Sequence, residues 1–419
     1  MSRRSAVAAS TPRGWAACLL VAAIVVVALN QRTAIVGVGP LLHEIRDDAG
    51  LSGTAAGVLT TLPVLCFGLL SPLTPWLARR FGADPVVGLT MLLLALGIAV
   101  RSTPSTIGLF TGTAIVGAAI AVANVLLPSI VKRDFGRHAG PVLGLYAMAL
   151  SGGAAVAAGV VIPLQDGLSI GWRSTLLLMA PLALAAAVLW AVAVRTVATP
   201  PVDPDLTAPP TGPVRITLWR DPVAWAVTIF MGFTSLQFYG SFAWFPTILV
   251  DHGVSEQTAG WWLALMGLTG AVSSLVVPVL AARARGQGRF VVVIVALYVV
   301  GWAGMLIAPV SGAAAWAASM GLAQGAGISL ALTLIVVRAP DSAHAAELSG
   351  MAQAVGYLLA ATGPLLLGAL HDLTGGWTVP MIMMLVTLVP VVGAGLLAGR
   401  PRLVGSAAAA GRAGGRTDG

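Results

Sequence analysis

The stretch that decides the fold is WAACLLVAAIVVVALNQRTAIVGVGPLL, residues 15–42. About 20 apolar residues suffice to cross a hydrocarbon core of roughly 30 Å, so this stretch predicts a membrane helix over residues 15–39. Arg32 lies inside that helix. A charge at bilayer depth costs about 3 kcal/mol or more, and an arginine placed there normally faces a protein interior or a watery cavity. We interpret Arg32 as an anchor for a substrate.

The rest of the chain has the same character, because 58% of its residues are hydrophobic and only 9% are charged. Such a composition is typical of an integral membrane protein with many spans. Apolar stretches predict twelve transmembrane helices, near residues 15–39, 54–77, 85–100, 106–130, 140–163, 173–194, 222–249, 257–281, 290–308, 313–337, 346–369 and 378–398.

Basic residues predict the orientation of these spans. Of the 23 Lys and Arg residues, 19 fall on the side that holds both termini, three on the opposite side, and Arg32 within a span. Cytoplasmic loops carry this excess in membrane proteins. We therefore expect a multi-pass protein of the cytoplasmic membrane with both termini in the cytoplasm, and we attribute the net charge of +8 to topology rather than to nucleic acid binding.

The two halves of the chain repeat each other at a nearly constant offset. Lys132 matches Arg338 at an offset of 206, and Gly171-Trp172 matches Gly376-Trp377 at 205. A duplicated six-helix unit leaves this trace. The predicted organisation is an N-terminal tail (1–14), a six-helix bundle (15–194), a proline-rich cytoplasmic linker (195–221), a second six-helix bundle (222–399) and a disordered tail (400–419).

Four stretches carry a resemblance to a known family: LNQR at 29–32 with VGPLL at 38–42, NVLLP at 124–128 with KRDF at 132–135, FMG at 230–232 with WFPTIL at 244–249, and LSGM at 348–351 with HD at 371–372. They resemble the cyanate and 2-nitroimidazole transporter family of the major facilitator superfamily. The resemblance implies an all-α integral membrane protein of twelve helices, whose two pseudo-symmetric bundles rock about a midplane site. One departure is Arg79, which stands where the superfamily usually has an acidic residue and puts a gating salt bridge there in doubt.

Polar residues halfway along their helices are the candidate substrate-binding residues, because the site of such a protein lies at the midplane. An amide in a bundle can instead only bridge two helices, and Arg32 can instead bind helix-end carbonyl groups. The candidates are Asn30, Arg32, Asn124, Tyr146, Gln237, Tyr239, Trp244, Gln324, Gln353 and Tyr357.

The residues that are missing limit the substrate. All 15 acidic residues and all five histidines map to loops or helix ends, so a cation has no counter-ion at midplane. A small anion, or a polar neutral molecule that accepts hydrogen bonds from Arg32, fits better. We expect a monomeric transporter of a small molecule in the lipid bilayer, without cofactor, metal or nucleic acid partner; Cys18 and Cys66 are expected to be packing residues.

Three alternatives stay open. A multidrug or metabolite exporter could use a broad apolar pocket near Met231, Phe238, Trp244 and Met351. A transporter-like sensor would bind partners through the 195–221 linker. A membrane enzyme would need a nucleophile with its base or a metal cluster, and the sequence has no Gly-x-Ser-x-Gly, His-Glu-x-x-His or phosphate-loop motif. We therefore do not expect an enzyme.

Overall fold

A computed structural model describes residues 14–39, 41–51, 53–196 and 218–405. Within these ranges the chain is helical and contains no strand, and twelve helices are long and apolar enough to cross a membrane. This confirms the predicted all-α class and the number of spans. The first six form the N-terminal half: α1 (Trp15–Val36), α2 (Val58–Phe81), α3 (Ala83–Arg101), α4 (Thr106–Phe135), α5 (Ala139–Leu168) and α6 (Trp172–Thr196).

The other six helices form the C-terminal half. Some helices of the protein run longer than predicted: in the N-terminal half, α4 and its neighbour α5 have 30 residues each, or about 45 Å at 1.5 Å per residue, because their polar ends continue the helix beyond the apolar stretch. The six are α7 (Pro222–Asp251), α8 (Thr258–Arg283), α9 (Gly288–Ile307), α10 (Ala313–Arg338), α11 (Ser342–Thr374) and α12 (Thr378–Ala398).

Two names fix directions in the molecule. The terminal face is the end of the bundle where α1 begins and α12 ends, and the far face is the opposite end. Three segments lie outside the described residues: residues 1–13 of the predicted N-terminal tail (1–14), residues 197–217 of the predicted linker (195–221), and residues 406–419 at the end of the chain.

Small residues let the helices approach closely. A methyl group on Gly325 of α10 would overlap the carbonyl oxygen of Gly270 of α8. Close backbone approach of this kind drives helix association in membranes, where the lipid offers no hydrophobic gain. The pair α8 and α10 is thereby fixed within the C-terminal half.

Similar hydrogen bonds occur at the far face in both halves. In the N-terminal half, the indole Nε1 of Trp172 donates to Oδ2 of Asp48 at 3.2 Å. In the C-terminal half, Nε1 of Trp377 donates to Oδ2 of Asp251 at 2.7 Å. Each bond ties the start of a sixth helix to the segment that ends or follows the first helix of the same half. The two halves are therefore built alike at this face.

Arginines tie the helices of each half together at the terminal face. Arg133 at the end of α4 donates from Nη1 and Nη2 to both carboxylate oxygens of Asp84 at the start of α3, at 3.0 and 2.8 Å. At the end of α10, Arg338 is buried and donates from Nε to the Ala398 carbonyl of α12 at 2.7 Å and from Nη2 to Gln287. Bidentate arginine bonds of the first kind fix geometry as well as supplying energy.

The segment after α12 differs from the disordered tail expected at 400–419. Val404 is buried, and its N–H donates to the carbonyl of Arg338 at 2.9 Å. The N–H of Gly405 donates to Oδ2 of Asp221 at 2.6 Å. Residues 400–405 therefore pack on the terminal face, because two backbone donors find acceptors at the ends of α10 and α7.

The halves contact each other from the middle of the bundle to the terminal face. Gly140 and Gly144 of α5 pack against the backbone of α8 at Pro278 and Leu275, and Gly350 of α11 lies against Ser71 in α2. In the part of the chain that the structure describes, the hydrogen bonds named above for the far face each stay within one half. The bonds named at the far face therefore stabilise each half separately.

We predict that Trp172→Phe and Trp377→Phe lower the thermal midpoint of the purified protein by similar amounts. Each change removes one hydrogen bond to a carboxylate, worth about 1.5–3 kcal/mol, and keeps most of the ring volume. Exposed Trp261 is the matched control, and Trp261→Phe should leave the midpoint unchanged. Differential scanning fluorimetry measures all three, and a loss confined to one half would contradict the equivalence of the two bonds.

Candidate functional site

Arg32 lies at the interface of the two halves, near the middle of the bundle. It is half-buried, and its Nη1 donates to the hydroxyl of Tyr239 in α7 at 3.4 Å. The hydroxyls of Tyr357 in α11 and Tyr146 in α5 also interact electrostatically with its guanidinium. No acidic side chain of the described residues forms an ion pair with it. Arg32 is thus surrounded by neutral hydroxyls from both halves rather than by a counter-ion.

A second layer of polar groups continues from these tyrosines toward the terminal face. The Tyr146 hydroxyl donates to Oδ1 of Asn124 in α4 at 3.1 Å. From the other half, Nε2 of Gln353 donates to the Asn124 carbonyl at 2.9 Å and to Oγ of Ser349 at 2.8 Å. The Asn124 Nδ2 and the Gln353 Oε1 are buried and have no hydrogen-bond partner. This layer forms a floor under Arg32 that is shared by the two halves.

Six predicted residues therefore form one connected cluster, which we call the Arg32 cluster. Hydrogen bonds and electrostatic contacts join its members across α1, α4, α5, α7 and α11. The members are Arg32, Asn124, Tyr146, Tyr239, Gln353 and Tyr357.

The side-chain bonds of two other predicted residues stay inside the C-terminal half. Nε2 of Gln237 donates to the Met384 carbonyl at 2.7 Å and to Oγ1 of Thr387 at 2.9 Å, while its Oε1 accepts from Nε1 of Trp302 at 2.8 Å. Gln324 donates to Oγ of Ser241 at 2.5 Å. Both amides bridge helices of one bundle, which is the alternative role that the sequence left open for them.

The last two predicted residues also bond locally. Nδ2 of Asn30 donates to the Val26 carbonyl one turn earlier in α1, at 2.9 Å. Nε1 of Trp244 donates to the Pro364 carbonyl of α11 at 2.9 Å, and its ring lies 5.2 Å from the ring of Trp377. The structure does not join either residue to the Arg32 cluster by a hydrogen bond.

Aromatic rings flank the cluster. The ring of Phe67 in α2 lies 5.1 Å from that of Tyr357, and the ring of Phe238 lies 5.1 Å from that of Tyr239 in edge-to-face geometry. Phe242 stacks on Phe238 at 5.7 Å. Because aromatic faces and edges attract other rings, these side chains suit a planar ligand beside the guanidinium.

Lys132 closes the interface between the halves at the terminal face. Its Nζ donates to the carbonyls of Val336 and Ala339, both at 2.5 Å. These carbonyls belong to the C-terminal end of α10, where backbone acceptors lack intrahelical partners and a positive charge is favourable. Lys132 therefore caps a helix of the other half.

An ion pair stands beside this cap. Nη1 of Arg79 lies 2.9 Å from Oε1 of Glu347 near the start of α11, with side-chain exposures of 28% and 9%. The sequence had cast doubt on a gating pair here because Arg79 replaces an acidic residue. The structure shows an ion pair at this position, with the arginine in the N-terminal half and the carboxylate in the C-terminal half.

Asp341 adds negative charge near Lys132 and caps the start of α11. Burial acts to raise the pKa of this carboxyl, but hydrogen bonds from His344 and the charge of Lys132 outweigh it and hold the pKa below its ordinary value. Asp341 therefore stays ionised when the terminal face is closed. We call Arg79, Lys132, Asp341 and Glu347 the terminal gate.

Arg101 is the buried charge that sequence reasoning missed. It is one of the three basic residues on the side opposite the termini, and it forms the last residue of α3 and is only 1% exposed. The available signal was its position immediately after the uninterrupted apolar run that predicts a helix over 85–100. Which neighbours would bury it depends on the packing of α1, α3 and α4, and spacing alone does not show that.

Comparisons with known proteins agree with this architecture. The profile of the Major Facilitator Superfamily matches residues 20–364. The 2-nitroimidazole transporter of Escherichia coli (strain K12) is 38% identical over 92% of this chain and 96% of its own. The cyanate transport protein CynX of the same organism is 30% identical over 84% and 90%. The proton:xylose symporter XylE has the same fold, with a TM-score of 0.71 over 93% of this chain and 98% of its own at 12% identity.

If the terminal gate holds the halves together, changing its charges should change the distance between the halves at the terminal face. Glu347→Gln should lengthen and broaden the distance between spin labels at His138 and Arg285, two exposed positions on opposite halves. Loss of a partly exposed pair costs about 1 kcal/mol, which corresponds to about fivefold more of the open gate. The double change Arg79→Glu with Glu347→Arg should restore the narrow distribution. Pulsed electron paramagnetic resonance without Cys18 and Cys66 measures both, and an unchanged distribution in Glu347→Gln would contradict a gating role.

The two classes of amide predict different effects of the same substitution. Gln237→Leu should lower thermal stability, because it leaves the Trp302 N–H and other buried groups unpaired at about 1–3 kcal/mol each, without changing ligand affinity. Gln353→Leu should weaken ligand binding, because it alters the floor under Arg32. Thermal scans with and without ligand separate the effects, and equal ligand-induced shifts in both variants would argue against the assignment.

Proposed function

The chain belongs to the major facilitator superfamily of membrane transporters, and we propose that it moves a small anionic or polar molecule by alternating access around Arg32. The two halves would rock about the Arg32 cluster and expose it to each side of the membrane in turn, as the superfamily architecture allows. The proposed substrate-binding residues are Arg32, Asn124, Tyr146, Tyr239, Gln353 and Tyr357.

One observation carries this proposal: Arg32 reaches from α1 to Tyr239 of α7 without an acidic partner among the described residues. An unpaired charge inside a membrane protein is costly and marks a substrate or ion path. Since the groups around it are hydroxyls that both donate and accept, an incoming anion can take the guanidinium and the tyrosine donors together. Binding then joins the two halves at the point about which they would rock.

The chemistry of the cluster defines the substrate class. The guanidinium offers a planar fork of donors that matches a carboxylate, a cyanate or a nitro group, and the neighbouring rings favour a planar body. A cation would meet a fixed positive charge. Relatives described as 2-nitroimidazole and cyanate transporters support a ligand of this kind for this chain.

The charge pattern supports an orientation. With 19 basic residues on the side of the termini against three on the other, we infer that the terminal face is cytoplasmic. The bonds that join the halves at the terminal face then correspond to a conformation closed toward the cytoplasm. For the site to open inward, Lys132 must leave the end of α10 and Arg79 must separate from Glu347.

Ligand-induced thermal stabilisation in detergent tests the proposal. The probes are cyanate, nitrate, 2-nitroimidazole and the lipophilic cation tetraphenylphosphonium. We expect an anion or the nitro compound to stabilise the protein, and we expect Arg32→Gln to weaken that ligand at least tenfold because a charged hydrogen bond of about 1.5–3 kcal/mol is lost. Arg32→Lys should recover only part of the affinity, since an ammonium lacks the bidentate fork.

Exposed Arg46 provides the matched control, because Arg46→Gln makes the same change in net charge away from the cluster. It should bind as tightly as the parent protein. If tetraphenylphosphonium alone stabilises the protein, and does so equally in the parent and in Arg32→Gln, the anion-binding proposal is wrong and export of apolar cations is favoured.

A further inference from the structure

A second fixed positive charge lies close to the helix that carries Arg32. Arg101 ends α3, is 1% exposed, and forms no ion pair with an acidic residue of the described ranges. Its Nε and Nη2 have no hydrogen-bond partner. A buried charge normally has a partner of opposite sign, so the position of this guanidinium requires another explanation.

The single hydrogen bond of Arg101 shows what it contacts. Its Nη1 donates to the carbonyl of Ala34 in α1 at 2.6 Å. Regular helix bonding would supply that carbonyl with the N–H of Val38, but this N–H donates to the Ile35 carbonyl instead, at 3.3 Å. Arg101 therefore satisfies a backbone acceptor that the ending of α1 has left free.

The end of α1 is also where Arg32 lies. Arg32 lies four residues before the last residue of α1, Val36. Carbonyls at the C-terminal end of a helix act as roughly half a negative charge. Left alone, that charge would oppose an anion next to Arg32.

Arg101 contacts this end of α1 on the side opposite Arg32. Successive residues of a helix are 100° apart, so the side chains of positions 32 and 34 lie on opposite sides of α1. Arg32 lies between the two halves, whereas Arg101 contacts the Ala34 carbonyl from inside the N-terminal bundle. The charge of Arg101 offsets the negative end of the helix without entering the site. Because the surroundings are apolar helices, solvent and salt screen this effect little.

We propose that Arg101 is a positioning residue that caps the end of α1 and sets the preference of the Arg32 site for anions over neutral ligands. This inference rests on the proposed function, since it assigns a charge preference to the same site. It concerns a different residue and a different property, namely the preference of the site for charged over neutral ligands. Arg32 contacts the ligand, whereas Arg101 acts through the backbone of the helix.

Affinities of an anion and a neutral molecule of the same shape test the inference. The probes are sodium benzoate and benzamide, with sodium cyanate as a smaller anion, measured by isothermal titration calorimetry on the purified full-length protein. Arg101→Gln removes the charge and keeps an amide donor. We expect it to weaken benzoate or cyanate about tenfold and to leave benzamide affinity unchanged, whereas Arg101→Lys should bind all three like the parent.

Two controls separate this effect from unfolding and from general charge. Arg46→Gln lowers the net charge equally at an exposed position and should change no affinity. Should Arg101→Gln fail to fold, Arg101→Met replaces it, since an apolar side chain of similar length suits the buried position.

The outcomes are distinct. If neither anion binds the parent protein, the inference fails; if 2-nitroimidazole also gives no stabilisation, the proposed function fails with it. If an anion binds the parent and Arg101→Gln equally well, or if benzoate and benzamide weaken by the same factor, only the inference fails.

Discussion

The arrangement of the interior depends on how a buried or half-buried positive charge is accommodated without a carboxylate partner among the described residues. Arg32 and Arg101 both meet this constraint with neutral oxygen atoms: tyrosine hydroxyls for the first and a helix-end carbonyl for the second. Neutral acceptors lower the cost of burial without cancelling the charge. The interior of the protein therefore keeps a positive potential that a carboxylate would have removed.

Neutral oxygen acceptors also stabilise the contact between the halves, from the Arg32 cluster to the terminal face. Lys132 binds two carbonyls at the end of α10, and Gln353 binds the Asn124 carbonyl beneath the site. Helix ends and backbone acceptors are rigid partners because their positions follow from the helix itself. The halves can thus meet in one defined arrangement and still separate, since few of the bonds that join them are between opposite full charges.

Sequence alone predicted the class, the number of spans, the repeat and the isolation of Arg32, because these follow from apolar length and charge. It could not show which amide side chains belong to the Arg32 cluster and which only bridge helices of one half. Gln237 and Gln353 both lie midway along a helix, and only the packing of α7 against α9 and α12 shows that the first is saturated within one bundle. The ion pair of Arg79 was also out of reach, because its partner lies 268 residues away. The burial of Arg101 could not be predicted, because an arginine at the end of an apolar run can face either water or a neighbouring helix.

The far-face bonds of Trp172 and Trp377 show how alike the two halves are. Both halves hold this bond at matching positions, so each sixth helix is held by the same kind of contact within its own half. The matched pair Lys132 and Arg338 differs instead: Lys132 reaches across to the other half, and Arg338 bonds within its own. The two halves therefore share a scaffold at one end of the bundle, and the difference between one lysine and one arginine makes the other end asymmetric.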